Sequence, residues 1–370
     1  MNKLAFVVAL GSLLAACGGA APAAPSSAPA SPSAAASASA AASAKPAPAS
    51  AAASAKPSAV APASGAIGGT KISVAFSVNT PGFWALYMAA DTGIFQKNGL
   101  DATIQLIPGA PTATAAMIAG QLQFAQFGGG AAMGAAVNGS DVVILGIMVP
   151  VNQFVIYGGA DIKTAADLKG KKIGVVSLDG SEDNISARAG MHYIGLDPDK
   201  DVSIIAVGQD RVAALVNGAI QAALLTPPDT LNAEAAGFHS VVDLASTHLP
   251  HLGQSTVSTR AYVNAHKDVA QKYIDSMVQA VAELKANRTL SIDVLGKRIK
   301  SDDQKAMGVA YDFYTKEIFP DYPEPKLDSF QDAVTELSKD DPKIKALDIN
   351  TIIDPSFVKD AETRNVAKSL

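Results

Sequence analysis

The chain has 370 residues, 48% of them hydrophobic and 17% charged, with a formal net charge of −5 at pH 7. No acid precedes residue 70, and the only charges there are Lys3, Lys45 and Lys56, so the remaining body is more acidic still, at about −8. An acidic body with few aromatics and no basic run argues against nucleic acid and anionic lipid surfaces as partners, and a single cysteine rules out an intramolecular disulfide.

Lys3 gives a short positive start, and residues 4–16 (LAFVVALGSLLAA) form an apolar run too short to be a stable membrane span. Cys17, Gly18 and Gly19 follow directly, so residues 1–17 read as a secretory signal peptide. Leu14-Ala15-Ala16-Cys17 resembles the lipobox of bacterial lipoproteins. The small residues Ala15 and Ala16 let the chain lie extended in a peptidase cleft, and the Cys17 thiol would carry lipid on the mature N-terminus. A plain secretory signal with an incidental thiol is the alternative. The expected location is beyond the cytoplasmic membrane, in the periplasm or on the outer face of the cell membrane, held by the lipid.

Residues 18–69 are almost wholly Ala, Pro, Ser and Gly. Nothing there is bulky enough to build a core, so the composition predicts a disordered tether with a span of roughly 40 Å. The remainder, from Thr70, is comfortable for two domains. No later segment reaches the roughly 18 apolar residues that a span needs.

From Lys71 strand and helix alternate. Strands are expected at Lys71–Ser77, Ala102–Ile107, Leu122–Phe127 and Val142–Met148. Between them lie a helix from Pro81 to Gly99, with Phe83, Tyr87, Ala90 and Ile94 on one face, a helix from Pro111 to Gly120, and a third ending at Gly139 after a Gly128-Gly129-Gly130 turn. The pattern then repeats, with strands at Lys171–Ser177, Val202–Val207, Ile220–Leu225 and Ser240–Leu244. The helices between them are Glu182–Ile194, Arg211–Asn217 and Asp229–Ala236. The β-rich links Gln153–Gly159 and Gln254–Val263 read as crossing strands. Afterwards the chain turns helical, at Lys267–Ala286, Asp302–Ile318, Leu327–Leu337 and Pro355–Ala367.

Alternation of this kind means a mostly parallel sheet covered by helices, and two blocks mean two lobes. The expected fold class is α/β, with lobe 1 formed by residues 70–157 and 258–370 and lobe 2 by 158–257. The last third is expected to pack mainly on lobe 1. Ligands of such sheets sit beyond the carboxyl ends of the strands, here in a cleft between the lobes. The loops to inspect are Ser77–Trp84, Pro108–Thr114, Gly128–Ala131, Pro150–Phe154, Ser177–Asp183 and Thr226–Thr230.

At these loops the chain resembles the substrate-binding proteins of ABC importers in the nitrate/sulfonate/taurine and pyrimidine-precursor (SsuA-like) family. The runs that carry the resemblance are FWALYMAADTGIFQKNGL at 83–100, GQLQFA at 120–125 and DLKGKKIGV at 167–175. Others are Gly180-Ser181, GLDPDKDV at 195–202, GAIQAALL at 218–225 with Pro227, and DPSFV at 354–358. The resemblance implies a type II periplasmic-binding-protein fold that closes on a small molecule and delivers it to an ABC permease with a cytoplasmic ATPase. It implies a monomer with no cofactor and no catalysis. A ligand-sensing lipoprotein serving a membrane receptor is a second reading. A pyrimidine-precursor synthase on the same fold is a third, which uses cysteine-rich chemistry that this chain lacks.

None of the chosen loops carries Lys or Arg, and their charges are Asp179, Glu182, Asp183 and Asp229. Hydrogen bonds to a ligand are expected from Ser77, Asn79, Thr80, Thr112, Asn152, Gln153, Ser181 and Thr226, and from backbone amides near Pro111-Thr112, Gly129-Gly130 and Gly180-Ser181. Phe83 and Trp84 could form an aromatic wall, although Trp84 fits core packing equally well. The acids at 179–183 also fit a helix start, where they complement the dipole, and Arg188 and Arg211 fit structural ion pairs. His248 and His251 have no spaced partners that would complete a zinc set. This palette suits a neutral, zwitterionic or weakly anionic organic ligand better than nitrate or a sulfonate.

Overall fold

The computed structural model describes residues 69–178 and 181–369. The expected signal segment with Cys17, the expected tether, Asp179 and Gly180 lie outside the described residues. No helix among the described residues is long and apolar enough to cross a membrane.

The first block folds as β1 (Thr70–Phe76), α1 (Trp84–Asp91), α2 (Ile94–Lys97), β2 (Leu100–Leu106), α3 (Ala110–Ile118), β3 (Phe124–Gly128), α4 (Gly129–Val137) and β4 (Val142–Ile147). The second folds as β5 (Val155–Gly158), β6 (Lys172–Val175), α5 (Glu182–Tyr193), β7 (Ser203–Ala206), α6 (Arg211–Val216), β8 (Ala222–Leu225), α7 (Asp229–Ala235) and β9 (His239–Asp243). Then come β10 (Gln254–Thr259), α8 (Arg260–Ala265), α9 (Lys267–Ala286), α10 (Arg288–Ile299), α11 (Gln304–Phe313), α12 (Gln331–Asp340) and α13 (Ser356–Thr363).

Two five-stranded sheets result, β2-β1-β3-β10-β4 and β7-β6-β8-β5-β9. Their plans are the same. Three parallel strands in the order second, first, third are joined by a strand from the crossing segment, which runs antiparallel to both its neighbours. The sheets are therefore mixed. Because β5 lies wholly in the second sheet and β10 wholly in the first, the chain crosses before residue 155 and again before residue 254. Both crossings come a few residues earlier than the expected boundaries at 158 and 258.

Two further expectations are corrected. The helix expected to run to Gly99 breaks at Gly93, whose φ of 77° is left-handed, into α1 and α2. The helix α10, whose N-cap Asn287 accepts from Leu290 N–H, has no counterpart among the expected elements.

Lobe 1 holds its core on both faces of its sheet. On one side, α9 buries Val269, Tyr273, Ile274, Met277, Val281 and Leu284 at helical spacing. Tyr273 stacks on Phe124 at 4.1 Å between ring centroids. The first turns of α1 are buried all round, packed against both α9 and α10. Lobe 2 is thinner, with smaller clusters around Ile156, Ile173, Val175 and Leu224 on one face and Tyr157, Leu215, Ala223 and Leu225 on the other.

The last third does not pack on lobe 1 alone. Glu336 on α12 is buried and accepts from Arg188 Nε of α5 at 2.7 Å and from Lys339 Nζ at 2.7 Å. Arg188 also donates to Asp199 at 2.5 Å. An ion-pair cluster thus ties α12 to lobe 2.

Candidate functional site

The carboxyl ends of β1, β3 and β6 open on a cavity of about 700 Å³ between the two sheets. Lobe 1 contributes mainly small and apolar surface, with Val78, Pro111, Ile118, Phe127, Ala131 and Ile344 among the lining residues. Lobe 2 contributes charge, through Glu182 and Asp183 on the first turn of α5 and Arg211 on the first turn of α6.

Of the residues singled out in the sequence, Ser77, Thr80, Pro111, Gly130, Gln153, Ser181 and Thr226 line this cavity. Asn79, Phe83, Trp84, Thr112, Gly129 and Asn152 are not among the lining residues. Trp84 is fully buried, and its indole N–H donates to the Ser291 carbonyl at 2.9 Å, so it serves the α1–α10 contact. Phe83 is buried beside Phe76 in the same core, and no aromatic wall comes from this pair. Asn79 and Thr112 are exposed and lie outside the lining set. Asn152 is buried in the crossing segment, where its side chain accepts from Phe154 N–H at 3.1 Å.

The glycine run works through close approach. A Cβ on Gly128 would lie 3.3 Å from Glu182 Cβ, and one on Gly129 only 2.5 Å from Leu252 Cγ. Gly129 and Gly130 open α4 instead of forming a separate turn.

The absence of cationic side chains is also corrected. Arg211 lines the cavity although no chosen loop contains it. It follows β7, whose exit loop occupies in lobe 2 the place that Pro108–Thr114 occupies after β2 in lobe 1. The strand-end rule applied evenly would have included it. Nor is Arg211 a close ion pair. It donates from Nη1 to the Leu224 carbonyl at 2.8 Å, while the nearest carboxylate oxygens, of Asp183 and Asp229, stand 4.0 and 3.9 Å away. Its Nε has no partner among the described residues. Arg188, by contrast, forms the ion pairs described above.

A hydrogen-bonded chain joins the lobes in the wall of the cavity. Gln153 donates to Glu182 Oε1 at 2.7 Å and to Gln254 Oε1 at 3.2 Å, and accepts from the Tyr314 hydroxyl at 2.7 Å. Tyr314 opens a five-residue π-helical turn that continues α11. Such turns re-aim a side chain, and nothing in the sequence marks this one. Next to Glu182, His251 Nε2 lies 3.0 Å from Ser186 Oγ, and its Nδ1 meets Asp332. The order Ser–His–Asp is that of a hydrolase triad, but Ser186 and His251 are both fully buried and neither lines the cavity, so no substrate held there reaches the hydroxyl.

Burial pushes the Glu182 carboxyl up to about 7, against the opposing pull of His251 and Gln153. Burial works against a charged His251, but Asp332 and Glu182 outweigh it and raise its pKa. Asp183 accepts from Val176 N–H and from Ser181 Oγ, the latter at 2.7 Å, so it organises the start of α5. Among the described residues no group of three or more His, Cys, Asp or Glu is placed to hold a metal ion.

Residues 80–319 match the NMT1/THI5-like family. A putative binding protein of Brucella abortus (strain 2308) is 27% identical over 244 residues, covering 62% of this chain and 75% of that protein. Among solved structures, a putative sulfonate ABC transporter periplasmic binding protein, SsuA of Methylobacillus flagellatus KT, aligns with a TM-score of 0.65 at 14% identity, covering 81% of this chain and 96% of that one. The periplasmic nitrate-binding protein NrtA of Synechocystis PCC 6803 aligns at 0.59 with 16% identity, covering 82% and 89%. The fold is that of periplasmic binding proteins, two mixed sheets flanked by helices with a cleft between them. With its central 240 residues matched throughout, the chain belongs to the NMT1/THI5-like family.

Proposed function

We propose that this protein is an extracytoplasmic solute-binding protein of an ABC importer, lipid-anchored at Cys17, which takes a small polar organic molecule into the interlobe cavity and passes it to a permease. The observation that carries the reading is the cavity itself. It is lined from both lobes by a few polar groups in an apolar surround, on a fold shared with transport binding proteins. Ser77, Thr80, Gln153 and Thr226 are the proposed polar contacts, with Pro111 and Gly130 shaping the wall and Ser181 holding the start of α5 in place. A ligand that touches both lobes favours the arrangement in which both can reach it. Residues 18–69 act as a tether, and the body works as a monomer. A thermal-shift screen of organic solutes on a protein starting near Thr70 tests the reading. A true ligand at about 100 times its dissociation constant raises stability by roughly 2.7 kcal/mol, and a broad library that produces no such shift refutes it. For the anchor, Cys17→Ser should release the protein from membranes with its folded body unchanged. A wild-type protein found soluble, without an acyl group, overturns the lipid assignment.

A further inference from the structure

We infer that Glu182 is the specificity-determining contact of the cavity, and that it selects ligands whose buried end is a cationic or N–H-donating group, such as an amine or amidine. The inference rests on the binding reading above and names the ligand chemistry. Glu182 lines the cavity with about nine-tenths of its surface covered. Its recorded contacts, with Gln153 Nε2 at 2.7 Å and His251 Nε2 at 4.0 Å, both use Oε1. Oε2 accepts no hydrogen bond from any described residue, and it is not among the buried atoms left without a partner. It is therefore an uncommitted acceptor that remains accessible on a side chain otherwise held in place. Gly253 makes room for this carboxylate, because a Cβ there would lie 2.9 Å from Glu182 Oε1.

The charges around the cavity point the same way. Glu182, Asp183, Asp340 and Asp341 line it, against Arg211 as the one lining cation among the described residues. Arg211 makes a poor anion receptor, since an anion beside it would also face Asp183 and Asp229, each about 4 Å from the guanidinium. His251 already has Asp332 as its partner, so once Glu182 is ionised the trio of Glu182, His251 and Asp332 carries one net negative charge even with the imidazole protonated. A donor on the ligand supplies what Oε2 lacks. A hydrogen bond to a charged group contributes about 1.5–3 kcal/mol, or roughly tenfold or more in affinity.

The groups facing Glu182 are Gln153 and His251 from the crossing segments, Tyr314 from the turn after α11, Asp332 from α12 and Asp183 from its own helix. Because burial favours the neutral acid, binding of a cation should strengthen as the carboxyl ionises.

Three flat probes of nearly equal size separate the possibilities: benzamidine (cationic), benzamide (neutral donor) and benzoate (anionic). Calorimetry or thermal shift at millimolar concentration on the folded body should rank benzamidine above benzamide above benzoate. Benzamidine should bind more tightly at pH 8 than at pH 6, while the benzamide response stays flat. Glu182→Gln should cost benzamidine about tenfold and benzamide little, and Asp268→Asn, an exposed acid on α9 outside the cavity, should change neither. The wild-type ranking stands as a test even if Glu182→Gln fails to fold. Benzoate ranking first or equal overturns the inference and leaves the transport reading intact. Failure of all three probes also overturns it, and the transport reading is then decided by the wider solute screen.

Discussion

The two lobes share one strand plan and divide the chemistry unequally. Lobe 1 places β10 between β3 and β4, and lobe 2 places β5 between β8 and β9, each strand antiparallel to its neighbours. Yet lobe 1 is backed by long helices and a core on both sheet faces, and it gives the cavity a largely small and apolar wall. The leaner lobe 2 supplies Glu182, Asp183 and Arg211 from the first turns of two helices. Equivalent positions in a repeated fold thus hold different groups. The comparison separates what the architecture needs, which both lobes share, from the lining side chains, which differ between them. Gln153 joins the two, bonded to Glu182 on one lobe and to Tyr314 and Gln254 on the other.

The largest effect should come from lobe 1 and leave the site alone. Trp84→Ala removes a fully buried ring that sits edge-on to Tyr311 and Tyr314 and donates to Ser291. A loss of about 3–5 kcal/mol in unfolding free energy is expected, with ligand affinity of the folded fraction unchanged. Unaltered stability with lost binding would restore the aromatic wall expected from sequence. Gly253→Ala tests the junction between the lobes. Its new Cβ would meet the Val149 carbonyl oxygen at 2.4 Å as well as Glu182. Backbone cannot step aside as a flexible side chain can, so about 3 kcal/mol of destabilisation is expected, read by chemical denaturation.

The next effect is a pH dependence located at the lobe interface. Glu182 is raised from 4.5 to about 7, so the folded state binds more protons than the unfolded chain across that window, and stability falls as pH rises through it. His251 is also raised. Its contribution is complete below its unfolded value and is lost as pH rises through the folded one. The two add, and the unliganded body should be more stable at pH 5 than at pH 8 by on the order of 2 kcal/mol. Glu182→Gln should remove much of that slope and be the more stable form at pH 8. A flat profile for wild type would show that water reaches the pair and screens it.

Much of the fold was legible because alternating apolar runs and helix-stopping glycines mark parallel strands and their helices. The helix Lys267–Ala286 matches residue for residue, since its buried face repeats at helical spacing over five turns. The site was legible in part, for a physical reason. Strand-end loops follow from the pattern, so Ser77, Pro111, Gly130 and Thr226 were within reach. What lines a cavity from farther along the chain was not. Tyr314 depends on a π-helical turn, and Leu337, Asp340, Asp341 and Ile344 depend on α12 crossing to the mouth of the cleft. Periodicity reports which face of a helix is buried and is silent on what it is buried against. Trp84 shows the converse, because a residue at a loop-to-helix corner can face either way, and here the whole first turn is enclosed by α9 and α10.

The smallest expected effect is the one that best resolves the division between lobes. Thr80 and Ser181 both line the cavity, one from each side. Their hydroxyls differ in commitment. Ser181 Oγ already reaches the Ser177 carbonyl at 2.9 Å and Asp183 Oδ1 at 2.7 Å. Thr80 precedes a short turn of helix with no side-chain capping bond. Ser181→Ala should therefore lower stability by about 1 kcal/mol and disturb binding only through the orientation of Asp183 and Glu182. Thr80→Ala should leave stability nearly unchanged and weaken a ligand by about 1 kcal/mol, provided the ligand touches lobe 1 through that hydroxyl. Measured together by calorimetry and denaturation, the double variant should show additive costs, because the two groups share no partner. If Ser181→Ala instead weakens binding with no loss of stability, its hydroxyl turns to the ligand on binding, and the start of α5 is a more adaptable receptor than its internal hydrogen bonds suggest.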